Sequence, residues 1–302
     1  MDELFSDAFA AKLLLLAEKS AEQYRTASPF PHITFDDFLP VEPLEAALRD
    51  YPKPKDLTWT KFNNAQEKKL AFDGVEQLPA SQREILYFLN SRPMLKFLEK
   101  LTGIKGVISD PYFEGGGLHQ IVPGGKLGVH ADFNKHPRLN LDRRINVLIY
   151  LNKDWKEEYG GHFELWNRDM TQAEAKILPV FNRCAIFSTT SWSFHGHPTP
   201  LSCPPDRTRK SIATYYYTNG RPEEEVTEAH STLFQLRPGE VLDEPAEVVV
   251  AEATAKNPVP ASVTVRPPHP LDVLHRETFT WGKLAWSLTP PLLHELYKKV
   301  RD

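Results

Sequence analysis

The sequence predicts a mostly β protein with flanking helices (α+β), its strands stacked as a sandwich or jelly roll. Three observations carry this. Between Gly106 and Thr218 the runs VISDPY, LHQIV, GVHADF, INVLIYL, HFELW, CAIFS and SIATYYYT are short and rich in β-branched and aromatic residues. Gly, Pro, Asn or Asp separates them, and the connections are too short for the crossover helices of a parallel sheet. Helical periodicity is confined to the first hundred residues and to the C-terminal end.

Taken in order, Leu4, Ala8, Ala11, Leu15 and Lys19 predict an amphipathic helix within 3–26. The segment PFPHITFDDFLP (29–40) reads as a short strand and a turn, and a second helix follows over 43–51. A third spans 81–90, where Ser81 and Glu84 resemble a capping box. A fourth spans 93–101 and stops near Gly103. Glycine pairs at 115–117, 124–125 and 160–161 fit turns or bulges at the ends of the strands. After Pro222 an acidic run and a Pro-rich stretch at 237–270 read as a linker or loose extension. Trp281, Leu284, Leu288, Leu292, Leu293 and Leu296 then predict a last helix in 271–302. The expected organisation is a helical support region (1–105), a β core (106–220) and a Pro-rich extension with a C-terminal helix (221–302).

At 302 residues, 41% hydrophobic and 25% charged, the composition is that of an ordinary globular protein. A formal charge of -4 argues against nucleic acid as the main partner. The apolar run near the N-terminus is preceded by acids and broken by Lys12, unlike a secretory signal, and no stretch approaches a membrane span. Two cysteines, Cys184 and Cys203, imply no disulfide framework. A cytoplasmic protein with no membrane partner is the expectation. Oligomeric state is not readable from the chain.

The chemistry centres on His130-Ala131-Asp132 and, downstream, His195-Gly196-His197. Residues two apart on a strand share a face, so His130 and Asp132 can aim at one point and a distant histidine can complete the set. Two imidazoles and a carboxylate on one side of a metal suit non-haem Fe(II) with open positions. An isolated HxD is more often a surface strand, and either His195 or His197 could be a structural histidine. In RTRKSIATYYYT, Arg209 and Lys210 are adjacent, so only one can face the interior, where it would grip a carboxylate. Tyr150 is either a further donor to that carboxylate or a core residue. Trp155, Trp166 and Trp192 are candidates for the mouth of the site.

GVHADF, INVLIYLNKDW, GGHFELW, LPVFNRCAIF, SFHGHP and RKSIATYYY, in that order, resemble the prolyl 4-hydroxylase-like Fe(II)/2-oxoglutarate oxygenases over about residues 107–220. The likeness implies a double-stranded β-helix (jelly-roll, cupin-like) core. It makes His130, Asp132 and His195 the metal ligands, with His195 set by its interval after Phe181-Asn182-Arg183. His197 falls where the family carries an apolar residue. Arg209 opens the family's R-x-[AS]-I strand and is favoured over Lys210 as anchor of the cosubstrate's far carboxylate, with Tyr150 beside it. Gln120 stands where the family often has a tyrosine, and the insert 135–144 is longer than in hypoxia-sensing relatives.

The implied activity is an Fe(II)- and 2-oxoglutarate-dependent dioxygenase (hydroxylase) acting on an unactivated C–H bond and releasing succinate and CO2. Its cofactors would be Fe(II), 2-oxoglutarate as cosubstrate and O2, with L-ascorbate a further candidate. Its substrate would be a prolyl residue of a protein, or a free amino acid or other small molecule. Two other readings compete. A jelly-roll Zn-dependent hydrolase or isomerase would use the same ligand set but needs no buried Arg209. A non-catalytic jelly-roll binding module would carry its histidines incidentally.

Overall fold

The computed structural model describes residues 3–240, which fall within one compact unit. The expected helix within 271–302 and most of the Pro-rich stretch lie outside the described residues. Ser6 caps the first helix, α1 (Asp7–Thr26), by accepting from the Phe9 amide at 3.1 Å. Strand β1 (His32–Phe35) and helix α2 (Val41–Arg49) follow. A hairpin, β2 (Thr60–Asn63) and β3 (Lys68–Phe72), then precedes helices α3 (Ala80–Leu89) and α4 (Arg92–Thr102). Gly103, at φ +80°, ends α4 in the left-handed conformation that glycine adopts freely. The capping box expected at Ser81 does not form: the cap position is Pro79, and the Ser81 hydroxyl donates to Asp50 instead at 2.7 Å.

The β core begins with β4 (Ile108–Ser109), β5 (Gly117–Ile121), β6 (Leu127–Ala131) and β7 (Asp142–Tyr150). It continues through β8 (Phe163–Trp166), β9 (Ala173–Ile177), β10 (Cys184–Ser188), β11 (His195–His197) and β12 (Arg209–Thr218). One sheet runs β1-β10-β7-β12-β5-β3-β2, with β4 also on β12; the other runs β13-β6-β11-β8-β9, where β13 is Leu233–Phe234. Every pairing is antiparallel. From β5 to β12 the chain thus winds between two facing four-stranded halves, β10-β7-β12-β5 and β6-β11-β8-β9, changing halves at every step except the β8–β9 hairpin. That is the double-stranded β-helix.

Period-two alternation assigns the faces. Ile145, Val147 and Ile149 of β7, with Ile186 and Ile212, point outward and join Leu13, Ile85, Leu89, Phe97 and Leu98 of the helices in the main core cluster. Each such side chain contributes about 1.5–3 kcal/mol on burial. The alternate residues, Asn146 and Leu148 of β7 and Ser211 and Tyr215 of β12, face the space between the sheets.

Two further segments are anchored by side-chain contacts. The insert 135–144 is tied down: His136 meets Asp110 at 3.1 Å and accepts at Nδ1 from the amides of Arg138 and Leu139. Residues 221–235 pack on the core rather than leaving it. Arg221 pairs with Asp142 at 3.3 Å, Glu225 with Arg144 at 3.2 Å, and β13 aligns with β6 at Leu233↔Ala131 and Phe234↔His130. Cys184 and Cys203 are free thiols, both buried. Among the described residues no helix is long and apolar enough to cross a membrane.

Gly117 opens β5 at φ +81°, and a Cβ there would stand 2.2 Å from the Phe72 carbonyl oxygen. Gly124 has a similar φ of +73° with nothing within 4 Å. In chemical denaturation Gly124→Ala should cost about 1–2 kcal/mol from backbone strain alone. Gly117→Ala should cost about 2 kcal/mol more. Equal losses would mean that β3 and β5 do not approach as closely as described.

Candidate active site

His130 and His195 face one another across β6 and β11, directly paired in register, so both imidazoles rise from the same inner face. Their ring centroids are 4.5 Å apart. Asp132 follows just after the end of β6, its Oδ1 3.6 Å from His130 Nε2 and its Oδ2 3.4 Å from His195 Nε2. One ligand atom from each of the three lies within 4.8 Å of the others.

Hydrogen bonds set the state of each group. His130 Nδ1 lies 2.9 Å from the Gly128 carbonyl and His195 Nδ1 2.8 Å from that of Ser193. A carbonyl only accepts, so each Nδ1 carries a proton and donates it, and each Nε2 is turned toward the centre. Burial drives the pKa of His195 down to about 3 against the opposing pull of Asp132. Burial works to raise the pKa of Asp132, but Arg143, His195 and His130 outweigh it and hold the carboxyl well below its ordinary value. Two imidazoles and one carboxylate, each turning a ligand atom toward the same small volume, fit a divalent cation.

Asp132 is held from behind. Asn146 Nδ2 donates to its Oδ2 at 2.7 Å, and Arg143 Nη2 lies 3.0 Å from the same oxygen. Arg143 is 1% exposed; its Nε donates to Asn146 Oδ1 at 2.9 Å, and its guanidinium lies 3.5 Å from the Tyr215 ring centroid and 4.4 Å from that of Phe133. Contact with two aromatic rings suits a desolvated guanidinium. With Oδ2 engaged, Oδ1 is left toward His130.

The cleft containing the three ligand candidates is also bordered by Lys69, His119, His197 and Arg209. Arg209 is 4% exposed and points inward; its Nε donates to the Gly161 carbonyl at 2.8 Å and its Nη2 to the Tyr150 hydroxyl at 3.4 Å. Lys210 points to the other face, its ammonium 5.9 Å from the Tyr51 ring. Tyr150 is fully buried against Arg209 and does not border the cleft.

Gln120 also turns away, donating to Thr208 Oγ1 at 2.8 Å, so His119 is the residue of β5 beside Ile121 on the inner face. Trp155, Trp166 and Trp192 pack in small apolar clusters instead of bordering the cleft. Sequence reasoning missed Arg143, Asn146, Lys69 and His119. Asn146 had a signal, a polar residue at alternate spacing inside INVLIYL. Arg143 had none, because its partners Asp132 and Tyr215 come from other strands.

A sequence model described as the 2OG-Fe(II) oxygenase superfamily matches residues 116–217. No curated protein sequence matches the chain significantly. Among solved structures, a prolyl-4-hydroxylase from Pseudomonas putida is similar at 16% identity and TM-score 0.49, over 68% of this chain and 100% of that one. A Trichoplax adhaerens prolyl hydroxylase, in complex with a hypoxia inducible factor oxygen degradation domain peptide, is similar at 17% identity and TM-score 0.48, over 70% and 93%. HygX from Streptomyces hygroscopicus, with nickel, 2-oxoglutarate and hygromycin B bound, is similar at 8% identity and TM-score 0.47, over 71% and 96%.

Arg143→Gln should destabilise the metal-free protein by about 3–5 kcal/mol, because it strands a buried carboxylate. The depressed pKa of Asp132 also gives stability that is present above about pH 4, the unfolded value, and lost as pH falls through the folded one. Arg143→Gln raises the folded pKa, so its acid-unfolding midpoint should move to higher pH. An unshifted midpoint by circular dichroism would show that Arg143 does not govern this carboxylate.

Proposed function

We propose that this chain, whose residues 116–217 match a sequence model described as the 2OG-Fe(II) oxygenase superfamily, is a 2-oxoglutarate-dependent dioxygenase that hydroxylates an unactivated C–H bond. The observation that carries the reading is a His130, Asp132, His195 donor set in the same cleft as a buried arginine, Arg209. His130 Nε2, His195 Nε2 and Asp132 would hold the iron, and Arg209 the distal carboxylate of 2-oxoglutarate. Bound there, Fe(II) with 2-oxoglutarate and O2 supplies the oxidising power that places one oxygen atom in the substrate and the other in succinate, with loss of CO2.

The chain's own residues do the remaining work. Carbonyl acceptors at Gly128 and Ser193 engage Nδ1 of both histidines, which orients the rings and turns each Nε2 toward the metal position. Asn146 and Arg143 orient the carboxylate and offset its charge. Tyr150 and the Gly161 carbonyl hold the Arg209 guanidinium in a fixed plane, which suits a planar carboxylate. Apolar walls from Leu148, Phe163 and Phe187 limit water around the reacting atoms. A carboxylate among the ligands leaves no vacant site for a halide, which favours hydroxylation over halogenation. Zinc-dependent hydrolysis would account for the ligand set but leaves a buried arginine without a task.

For the substrate, the resemblance supports a prolyl residue of a protein, or a free amino acid or other small molecule. We place the three expected regions as a helical support (1–105), the oxygenase core (106–220) and the extension beyond it, in a cytoplasmic protein.

Asp132→Ala should abolish stoichiometric Fe(II) or Mn(II) binding measured by calorimetry. Unchanged binding would remove the metal assignment. Arg209→Ala should weaken 2-oxoglutarate binding about ten- to hundredfold with metal still bound, and Lys210→Ala should not. The reverse pattern would transfer the role to Lys210. Incubation with Fe(II), 2-oxoglutarate, O2 and L-ascorbate should add one oxygen atom to a peptidyl-proline or amino-acid substrate by mass spectrometry. Succinate formation that no candidate substrate stimulates would count against both substrate classes.

A further inference from the structure

His197 stands two residues past His195 on β11, 3% exposed, and neither of its ring nitrogens has a hydrogen-bond partner. Buried polar atoms are nearly always paired, because an unpaired one gives up its hydration for nothing. Both nitrogens of one ring left without a partner, inside an otherwise well-bonded site, mark a place where a ligand completes the network. His195 and His130, on the same two strands, each have their Nδ1 satisfied by a carbonyl.

The surroundings say what ligand. The ring borders the cleft together with Lys69, His119 and Arg209. Of the two cations here, Lys69 is already paired with Glu67 at 3.1 Å, which leaves Arg209 as the one without a carboxylate partner among the described residues. Arg209 has its Nε committed to Gly161 and an Nη2 contact to Tyr150, so it meets an anion with part of its fork already used. A carboxylate presents about four lone-pair sites, more than the remaining guanidinium donors fill.

We infer that His197 is a positioning residue for the dicarboxylate cosubstrate: its ring donates one N–H to the distal carboxylate beside Arg209. It thereby favours a 2-oxo dicarboxylate over 2-oxo acids that lack the second carboxyl. A neutral imidazole has one donor nitrogen to give, and an anion accepts it. The inference rests on the 2-oxoglutarate reading proposed above. The ring also borders a second cleft, of about 260 Å³, lined in part by Glu158, Gly161, His162 and Glu164. Solvent there is the rival partner for its nitrogens, and the experiment separates the two.

The test is calorimetric titration of the Mn(II)-loaded full chain with 2-oxoglutarate and with 2-oxopentanoate, which lacks the distal carboxylate. His197→Phe keeps a ring of similar size and removes both nitrogens. It should weaken 2-oxoglutarate binding about ten- to hundredfold and leave Mn(II) affinity and 2-oxopentanoate affinity unchanged. His197→Asn and His197→Gln return an amide N–H near Nδ1 and Nε2 respectively, and one of them should recover most of the loss. If His197→Phe does not fold, His197→Leu carries the same comparison.

Equal 2-oxoglutarate affinity in wild type and His197→Phe overturns the inference and leaves the proposed function standing. Equal weakening for both 2-oxo acids, or no recovery by either amide variant, also overturns it, because the effect would then be one of packing. A wild-type protein that binds Mn(II) but not 2-oxoglutarate overturns the functional reading and this inference together.

Discussion

Antiparallel pairing of β11 on β6 in a single register, His195 opposite His130, is the constraint on which the rest of the site depends. Side chains alternate between faces along a strand, so a slip of one residue would send one imidazole out of the barrel and bring Gly196 opposite His130. The register is held from several sides. β8 pairs with β11 at His195↔Leu165, β13 pairs with β6 at Phe234↔His130, and a Cβ on Gly196 would meet the Leu127 and Gly128 carbonyl oxygens within 3 Å. Only a glycine lets the two histidine-bearing strands lie this close.

Charge is arranged around that register within one cleft. A carboxylate and two imidazoles converge there, with Arg143 behind them as a buried counter-charge. Arg209, Lys69, His119 and His197 border the same cleft, Lys69 paired with Glu67. Isolated buried charges are costly, so each is stable only because its partners are in place or supplied by a ligand. Contact of the Arg143 guanidinium with the Phe133 and Tyr215 rings lets a cation sit 1% exposed without a solvent shell.

The sequence by itself determined the strand and helix inventory wherever the pattern was local. The runs in 107–218 alternate or cluster in ways that only a packed β core satisfies, and Gly103 marks the end of α4 by its backbone freedom. It also made His130 and Asp132 candidates for one point, since two residues apart on a strand share a face. By contrast, β2, β3, β9 and β13 are edge or peripheral strands of mixed polarity, whose pairing partners and not their own composition make them strands.

Tertiary structure alone decided the rest. It turned Arg209 inward and Lys210 outward, brought His195 against His130, and put Arg143 and Asn146 behind Asp132. It drew residues 221–235 onto the core through ion pairs and a short strand, where composition alone suggested a linker. The division has one physical cause. Periodicity reports which face of an element a residue occupies, but a site is made from contacts between elements distant in the chain. Those contacts depend on register and on a buried charge finding its partner.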